Sequence, residues 1–562
     1  ALAAFHHGSL EGLEGEFALV VWDRARCRLI AMRDPLGSWP LYRSASGGVV
    51  TVGTRLLPLA HRQGAGPDPD FLASYLMVPY AFAEYPGEAT AFRGVRRIAP
   101  GTITALSPDG RVEVLSRWNW MERAYATGSL TPEEAGKEYA RLLRAAVGQR
   151  IGRGRVAAHL SGGMDSSSVV CVARDLMAAG VDRGPLATLS LVYKSHGLAG
   201  ERAYIDLVVG QGGPIEPHLL DGDSAPDFQW FGEDIPAHDE PYGGLFQLGT
   251  SKLLVDGAER SGATRVLTGL WAECLLEKNL HYLADLLRCG RWVSALAEAR
   301  RWARTSNRGP ASVLYRHGIE PLLPAALADG LGPMLRRGYG RWPKPGQFAV
   351  PPWVRADFAR AFDMVRKGRE TYRAAHGRPV ERSTDLWSLR ATAGNWTSWY
   401  LAAPRGIHTS HPFCDPRLTA FCLGLARDVR QQPGVVKPLL VSAMKGVLPD
   451  PISSRRVKQG FNDVYWGGLA RSLPKLEEMV RGSRIRDLGL FDEGSLIRAT
   501  RQHAVGIGDE MAGDRINTSL ALIAWYDRID EDLRRSEGEP DEIRALSAPQ
   551  VLAQAVGVAS VA

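Results

Sequence analysis

The stretch that decides the fold runs from Val156 to Ser168 and reads VAAHLSGGMDSSS. Its start, Val156–Leu160, reads as a short buried strand, and a helical pattern follows the loop. Gly162 and Gly163 lie between the two and let the backbone approach an anion closely. Successive backbone N–H groups at such a loop hold phosphate oxygens, aided by the dipole of the helix. The sequence therefore predicts a phosphate-binding loop between a strand and a helix.

Side chains of the same loop add to its chemistry. Ser161 and Ser166 supply hydroxyl donors. Asp165 would repel a bare phosphate, so an acid at this position indicates a bound Mg²⁺ ion. The loop has neither the lysine of a Walker A loop nor the spacing of a dinucleotide-binding loop. A glycine turn that only caps a helix is the alternative, but the strand before the loop and the helix after it favour phosphate binding.

Residues 1–122 read as a β-rich domain. Short apolar runs recur there between turn signals such as Pro108–Gly110, which is typical of a sandwich or layered β domain. A helix start at Thr131, with Pro132 and Glu134 in its first turn, follows this domain. The predicted strands are Phe17–Trp22, Arg28–Met32, Val49–Val52 and Thr102–Leu106.

Residues 123–532 read as an α/β domain. Further strands are predicted at Thr188–Tyr193 and Arg265–Thr268, with helices between them, and this alternation indicates a parallel sheet with helices on both faces. From about Asn279 onward the sequence reads as mostly helical. Residues 533–562 read as a loose tail.

Composition excludes several classes of protein. The 562 residues are 45% hydrophobic and 23% charged, which is ordinary for a globular protein of more than one domain. The six cysteines form no metal-binding or disulfide pattern, and no apolar run is long enough to span a membrane. The net charge of +7 either has no special meaning or attracts polyanions such as nucleotides, and no nucleic-acid motif accompanies it. We expect a cytoplasmic protein.

The loop sequence SGGMDS resembles the SGGxDS pyrophosphate loop of the N-type ATP pyrophosphatases, which include asparagine synthetase, argininosuccinate synthetase, GMP synthetase and β-lactam synthetase. The resemblance implies a HUP-like ATP-pyrophosphatase domain over residues 123–532 that activates a carboxylate as an acyl-adenylate, with ATP and Mg²⁺ as cofactors. The ATP-binding residues that it implies are Leu160, Ser161, Gly162, Gly163, Asp165, Ser166, Leu191 and Gly269.

The β-rich domain has a resemblance of its own. Arg33–Tyr42, RDPLGSWPLY, resembles a segment of class II glutamine amidotransferase domains, and Arg97–Leu106 resembles the strand ahead of the synthetase half. This implies an Ntn-type αββα fold for residues 1–122. Glutamine hydrolysis in that family needs a cysteine at the mature N-terminus, where this sequence has Ala1, and Cys27 lies inside the strand region. We expect the domain to be truncated or inactive as a glutaminase, and to act as a scaffold or in dimerisation.

Later segments extend the resemblance. His411–Leu418 resembles the PFLDxxL segment of asparagine synthetases. Lys437 matches a lysine before a helix, and Lys458 lies in an RxxKxxF-like segment whose lysine contacts phosphates. The resemblance implies that both lysines are catalytic and stabilise phosphate charge. It also implies that Asp165 and Glu273 bind Mg²⁺.

Two places depart from the family pattern. Trp271 stands where a glycine-rich motif is usual, and we expect it to crowd the backbone. Ahead of the PFLDxxL-like segment, His408 and Ser410 occupy the places of an acid and an arginine. An altered acceptor pocket and reduced activity are the two explanations.

Three further groups are candidates for the site. Asp239 and Glu240 precede a predicted helix, where family members often carry an acid that lines the active site, and we predict both as catalytic. His238 is a candidate base, with a structural histidine as the alternative. The segment Trp396–Tyr400 either lines a substrate chamber or belongs to the core.

Two segments resemble the lasso-peptide cyclases of actinobacteria, namely His281–Ala303 and Lys458–Leu469, KQGFNDVYWGGL. The resemblance implies a macrolactam cyclase of the albusnodin type. Such an enzyme adenylates an Asp or Glu side chain of a core peptide for attack by the peptide's own N-terminal amine, releasing AMP and pyrophosphate. It implies a leader peptidase and a leader-recognition protein as partners. A synthetase for a free amino acid and a non-catalytic nucleotide- or peptide-binding scaffold remain the alternatives.

Overall fold

The computed structural model describes residues 13–537, with gaps at 79–86, 126, 153, 181–183, 196–199, 232–234, 307, 325–326, 328–348, 392–395, 457–459, 461 and 509. Within this part of the chain, no helix has the length and apolar character needed to cross a bilayer. All six cysteines are free thiols.

Two antiparallel sheets dominate the described N-terminal residues, in the strand orders β1-β2-β6-β7 and β4-β3-β5. Ala31, Leu41 and Val50 belong to one apolar cluster that both sheets share. The predicted strands are confirmed, and the αββα layering stays a prediction. The strands are β1 (Ala18–Asp23), β2 (Arg28–Arg33), β3 (Tyr42–Ser46), β4 (Val49–Gly53), β5 (Val95–Arg97), β6 (Thr102–Leu106) and β7 (Val112–Arg117).

The turn after β2 is buried and held by its own polar groups. Asp34 accepts hydrogen bonds from the backbone N–H groups of Phe17, Leu36 and Ser38 at 3.2, 3.0 and 2.9 Å. Arg33 is fully buried and donates to three backbone carbonyl oxygens. The RDPLG sequence is thus a structural turn, because its two charged side chains satisfy backbone groups that burial would otherwise leave unpaired.

The second part of the chain contains a parallel sheet with the strand order β10-β9-β8-β11-β12. The predicted strands around β8, β9 and β11 are confirmed. Sequence reasoning missed β10. This strand contains Pro217, and proline is tolerated there because β10 lies at the edge of the sheet. Sequence reasoning also missed the three-residue strand β12. The strands are β8 (Val156–His159), β9 (Leu186–Val192), β10 (Ile215–Asp221), β11 (Arg265–Leu267) and β12 (His408–Ser410).

Helices account for most of the other regular structure in the described residues. They are α1 (Leu56–Arg62), α2 (Pro69–Tyr75), α3 (Pro132–Ile151), α4 (Met164–Ala178), α5 (Glu201–Val209), α6 (Leu248–Arg260), α7 (Glu273–Leu276), α8 (Tyr282–Arg288), α9 (Trp292–Ala303), α10 (Pro310–Leu314), α11 (Ala356–Ala361), α12 (Met364–Ala375), α13 (Val380–Ala391), α14 (Pro416–Gly424), α15 (Arg427–Arg430), α16 (Pro438–Ala443), α17 (Asp450–Ser453), α18 (Asn462–Gly482), α19 (Glu493–Ala504) and α20 (Glu510–Glu537).

The division into residues 1–122, 123–532 and 533–562 stays a prediction, and the element order can be compared with it. Residue 122 falls between β7 and α3. The helix start predicted at Thr131 is confirmed, and it includes a capping box in which Thr131 and Glu134 exchange hydrogen bonds. The tail is expected to begin at residue 533, but α20 continues past that residue to Glu537. Residues 538–562 lie outside the described part of the chain.

Candidate active site

The phosphate loop lies at the carboxyl end of β8, the central strand of the parallel sheet. Gly162 has a φ of +71°, a conformation that glycine adopts without strain. The backbone N–H of Ser161 donates to Oγ of Ser166 at 3.1 Å, and Ser166 donates onward to the carbonyl of Gly163 at 3.3 Å. These bonds hold the loop in place at the start of α4, and backbone N–H groups at a helix start of this kind can bind an anion.

A cavity of about 450 Å³ opens at this loop. Gly162 lies close to α5, since a Cβ at this position would lie 2.8 Å from Cβ of Tyr204. Lys458 lies outside the described residues. The predicted residues that the structure brings together around the cavity are Leu160, Ser161, Gly163, Asp165, Ser166, Leu191, Gly269, Glu273 and Lys437.

Lys437 is a cation that the fold places beside the loop. Its Nζ donates to Oδ2 of Asp165 at 2.6 Å and lies 3.9 Å from Oε1 of Glu277. The lysine is 7% exposed and has a φ of +48°, a conformation that few residues other than glycine adopt. Packing around the start of α16 maintains this unfavourable backbone geometry, which directs the ammonium group inward. Such geometry persists where the surrounding fold enforces it.

Two carboxylates fit the magnesium ion that the family resemblance implies. The Oδ1 atom of Asp165 is buried without a hydrogen-bond partner, which leaves a lone pair free for a cation. Glu273 lines the cavity. Burial removes water from around its carboxyl and raises its pKa, and the negative charge of Asp165 adds to the effect. The described residues hold no cluster of three or more protein ligands. Mg²⁺ characteristically uses one or two carboxylates together with phosphate oxygens, so the donor set suits a nucleotide-bound ion.

The loop after β11 packs directly on the phosphate loop. A Cβ at Gly269 would lie 2.7 Å from the carbonyl carbon of Asp165, so only glycine fits. Trp271 has a φ of +71°, and its ring lies 6.1 Å from that of His411. The crowding expected at Trp271 therefore takes the form of backbone strain, since the left-handed conformation is unfavourable for a side chain of this size.

Sequence reasoning missed an ion pair in the cavity wall. Arg455 pairs with Glu201, and its guanidinium lies 4.1 Å from the centroid of the Tyr204 ring. Both members of the pair line the cavity, as does the exposed Arg456. Both arginines belong to the same RxxKxxF-like segment as Lys458. Consecutive arginines ahead of a lysine thought to contact phosphate were the available signal.

Asp239 and Glu240 lie elsewhere, which corrects the expectation that they line the active site. Asp239 is fully buried and accepts hydrogen bonds from Nε of Arg55 at 3.2 Å and from the backbone of Leu56 at 2.9 Å. Glu240 pairs with the buried Arg97. These carboxylates bind the β-rich part of the chain, and Glu240 gives the buried Arg97 the counter-charge it would otherwise lack.

His238 and the segment Trp396–Tyr400 belong to the core. His238 is 1% exposed, its Nδ1 lies 2.8 Å from the carbonyl of Pro236, and burial lowers the pKa of its imidazole to about 4. Its ring centroid is 5.3 Å from that of Trp396, which stacks on Tyr242. Of the two interpretations of each feature, the structure favours the structural histidine and the packed core.

The departures at His408 and Ser410 are accompanied by groups from distant parts of the chain. Glu16 accepts from Oγ of Ser410 at 2.6 Å and from Nε of Arg150 at 3.0 Å. Nε2 of His408 lies 3.6 Å from the same carboxylate. An acid and an arginine thus meet at the end of β12 although neither is supplied by that strand.

Comparison with known proteins agrees with this geometry. The asparagine synthase family profile matches residues 138–527, which is more than half of the chain. The chain belongs to the asparagine synthase family. A glutamine amidotransferase domain profile matches residues 2–118.

Curated relatives match a shorter stretch. Amidase chyE of Penicillium rubens is 32% identical over 183 residues, which are 32% of this chain and 26% of that protein. A putative glutamine-hydrolyzing asparagine synthetase of Mycobacterium tuberculosis is 29% identical over 184 residues, covering 31% of this chain and 27% of that protein. Asparagine synthetase 3 of Bacillus subtilis is 28% identical over 191 residues, 33% of this chain and 30% of that protein. The chain thus spans less than a third of each relative in these matches.

Proposed function

We propose that this member of the asparagine synthase family is an ATP-dependent, AMP-forming ligase that activates a carboxylate as an acyl-adenylate and joins it to an amine. The arrangement of Asp165, Lys437 and the phosphate loop around one cavity carries this proposal. A carboxylate with a free lone pair, a buried ammonium and a row of N–H groups are the parts needed to bind a nucleotide and stabilise charge at its α-phosphate.

The loop, the two carboxylates and the two lysines have separate roles in the proposed reaction. The loop from Ser161 to Ser166 holds phosphate oxygens, and Gly269 lets the neighbouring loop approach it. Mg²⁺ held by Asp165 and Glu273 would neutralise phosphate charge. Lys437 stabilises the charge that builds as the carboxylate oxygen attacks the α-phosphate and pyrophosphate leaves. Lys458 is proposed to do the same when the amine displaces AMP.

In its finer form, the proposal is that the substrate is a lasso core peptide. An Asp or Glu side chain is adenylated and the peptide's N-terminal amine closes the ring. The resemblance of His281–Ala303 and Lys458–Leu469 to lasso cyclases supports this, and in the structure these segments contribute α8, α9 and the start of α18. An α-amine with a pKa near 8 needs little help from a base, which is consistent with a His238 that is buried away from the cavity. A leader peptidase and a leader-recognition protein are the proposed partners.

The second candidate is an enzyme that acts on a free amino acid, as in asparagine or β-lactam synthesis. It is equally consistent with the family, and the relatives named asparagine synthetase favour it. A nucleotide-binding scaffold without chemistry is the third.

Incubation with Mg·ATP, the precursor peptide encoded nearby and its leader peptidase tests these candidates. The expected products are a core peptide lighter by one water, found by mass spectrometry, and an equal amount of AMP. The Asp165→Asn variant is the inactive control. AMP formed only with free aspartate would establish the second candidate, and ATP binding without AMP would establish the scaffold.

A further inference from the structure

Two loops at the cavity mouth carry exposed apolar side chains. Leu270 follows Gly269 and is 47% exposed, and Val436 precedes Lys437 and is 41% exposed. Both line the cavity. Val435, beside Val436, is 44% exposed. We call Leu270, Val435 and Val436 the apolar lip.

The lip is held in a fixed place by local bonding. The backbone N–H of Leu270 donates to Oγ1 of Thr268 at 3.3 Å. On the other side, the N–H of Val435 donates to the carbonyl of Gln432 at 3.2 Å, closing a tight turn. The left-handed conformation of Lys437 then turns the chain, so that the lysine side chain points inward while the two valines stay at the surface.

The position of the lip relative to the chemistry follows from the covalent chain. Leu270 and Val436 are each one residue from a group that touches the phosphate loop, and neighbouring Cα atoms are about 3.8 Å apart. An acyl group whose carboxylate reaches the phosphate loop would enter the cavity that these side chains line. Apolar groups at this place favour an apolar substrate surface and disfavour the ammonium and carboxylate of a free amino acid, which would lose water of hydration there.

We propose that the apolar lip binds an apolar side chain next to the activated carboxylate, so that the acyl substrate is a peptide segment with a hydrophobic neighbour residue and not a zwitterionic amino acid. This inference rests on the proposed function and specifies its substrate class. Burial of one such side chain changes affinity by about tenfold to a hundredfold.

The test compares the double variant Leu270→Ser/Val436→Ser with a matched double variant, Val505→Ser/Ile507→Ser, which alters two exposed apolar residues outside the cavity lining. AMP release is measured with the core peptide and with a peptide whose residue beside the acceptor acid is changed to Ser. For the core peptide, the lip variant is expected to raise KM about tenfold, while KM for ATP stays within twofold. The matched variant is expected to behave as wild type, and the Ser-substituted peptide is expected to be insensitive to the lip variant.

Calorimetric binding of the core peptide to the protein carrying Asp165→Asn, with and without the single change Val436→Thr, repeats the test without turnover and with a milder substitution. Weaker binding with Val436→Thr supports the lip. Peptide-dependent AMP release with an unchanged KM in the double variant overturns the lip and leaves the proposed function standing. AMP release with free amino acids but with no peptide overturns both.

Discussion

The hydroxyl of Ser410 donates a 2.6 Å hydrogen bond to Glu16, a residue 394 positions earlier in the chain. Arg150 joins them, with Nε 3.0 Å from Glu16 and Nη1 2.9 Å from Asp415. Burial alone would raise the pKa of Glu16, but Arg150 and Ser410 lower it below its ordinary value. The carboxylate is therefore charged and holds the β-rich part of the chain against the end of β12.

Replacing this carboxylate should destabilise the protein. Glu16→Gln removes the charge that faces Arg150 and is expected to lower the free energy of unfolding by about 1–3 kcal/mol. Ser410→Ala is expected to cost about 1 kcal/mol, and the double variant less than the sum, because the two share one bond. Urea unfolding measures all three. The exposed Glu14 serves as the control, and an equal effect of Glu14→Gln would argue against the bond.

The ammonium of Lys437 should govern the rate of adenylate formation. Lys437→Met keeps most of the side-chain volume and removes the charge, so AMP release is expected to fall about a hundredfold to a thousandfold. Pyrophosphate release in single turnover is the measurement. The same change at the exposed Lys445 is the matched control. A Lys437→Met enzyme within tenfold of wild type would mean that other cations carry the charge stabilisation.

Gly269 should tolerate no side chain. Gly269→Ala places a Cβ against the backbone of the phosphate loop and is expected to weaken ATP binding at least tenfold. Binding of a non-hydrolysable ATP analogue is the measurement. Gly482→Ala, at the end of α18, is the control because nothing lies within 4 Å of its added Cβ. Equal ATP affinity in the two variants would contradict the packing argument.

The left-handed backbone conformation of Trp271 can be tested by comparing the stability of glycine and alanine variants. At a φ of +71°, Trp271→Gly is expected to be more stable than Trp271→Ala by about 1 kcal/mol, since only glycine relaxes there. The same pair at Trp292, which starts α9 and is 68% exposed, should show the reverse order, because alanine favours a helix. Thermal unfolding of the four variants decides; the same order at both positions would contradict the left-handed conformation.

Two buried histidines should make the protein sensitive to acid. Burial lowers the pKa of His238 and of His411 to about 4, against an ordinary 6.5. Their neutral form is favoured in the folded state, so the stability they give is complete above pH 6.5 and is lost as the pH falls toward 4. Between pH 7.5 and 5.5 the two together are expected to remove about 3 kcal/mol from the free energy of unfolding. The double variant His238→Gln/His411→Gln is expected to lose less free energy of unfolding over this pH range. A loss equal to that of wild type would refute the low pKa values of these two histidines.

Features that depend on neighbouring residues could be predicted from the sequence. The phosphate loop and the helix start at Thr131 each depend on residues within a few positions, so their residue types are sufficient to indicate the geometry. Glu16 and Glu240 were beyond such reasoning. Their partners are Ser410 and Arg97, and nothing in either short stretch indicates a contact over that separation.

The strand β12 was missed for a similar reason. Three residues are too few for a periodic pattern, and the strand exists because its backbone pairs with Arg265–Leu267. Asp239 and Glu240 were assigned to the site since acids before a helix often serve there, whereas burial beside Arg55 and Arg97 determines their actual place. Long-range contacts, through backbone pairing for β12 and through ion pairs for Asp239 and Glu240, decided both outcomes.

The ion pairs of Asp239 and Glu240 have a practical consequence for anyone who would divide this protein. The sequence suggests a cut near residue 122, yet the carboxylates of Asp239 and Glu240 lie on one side of that cut and their partners, Arg55 and Arg97, on the other. Expressed alone, each half would expose charges that have been deprived of their partners, together with the apolar surface around them. The two halves should therefore be produced as one polypeptide or co-expressed, and a synthetase fragment made without its β-rich half is expected to aggregate.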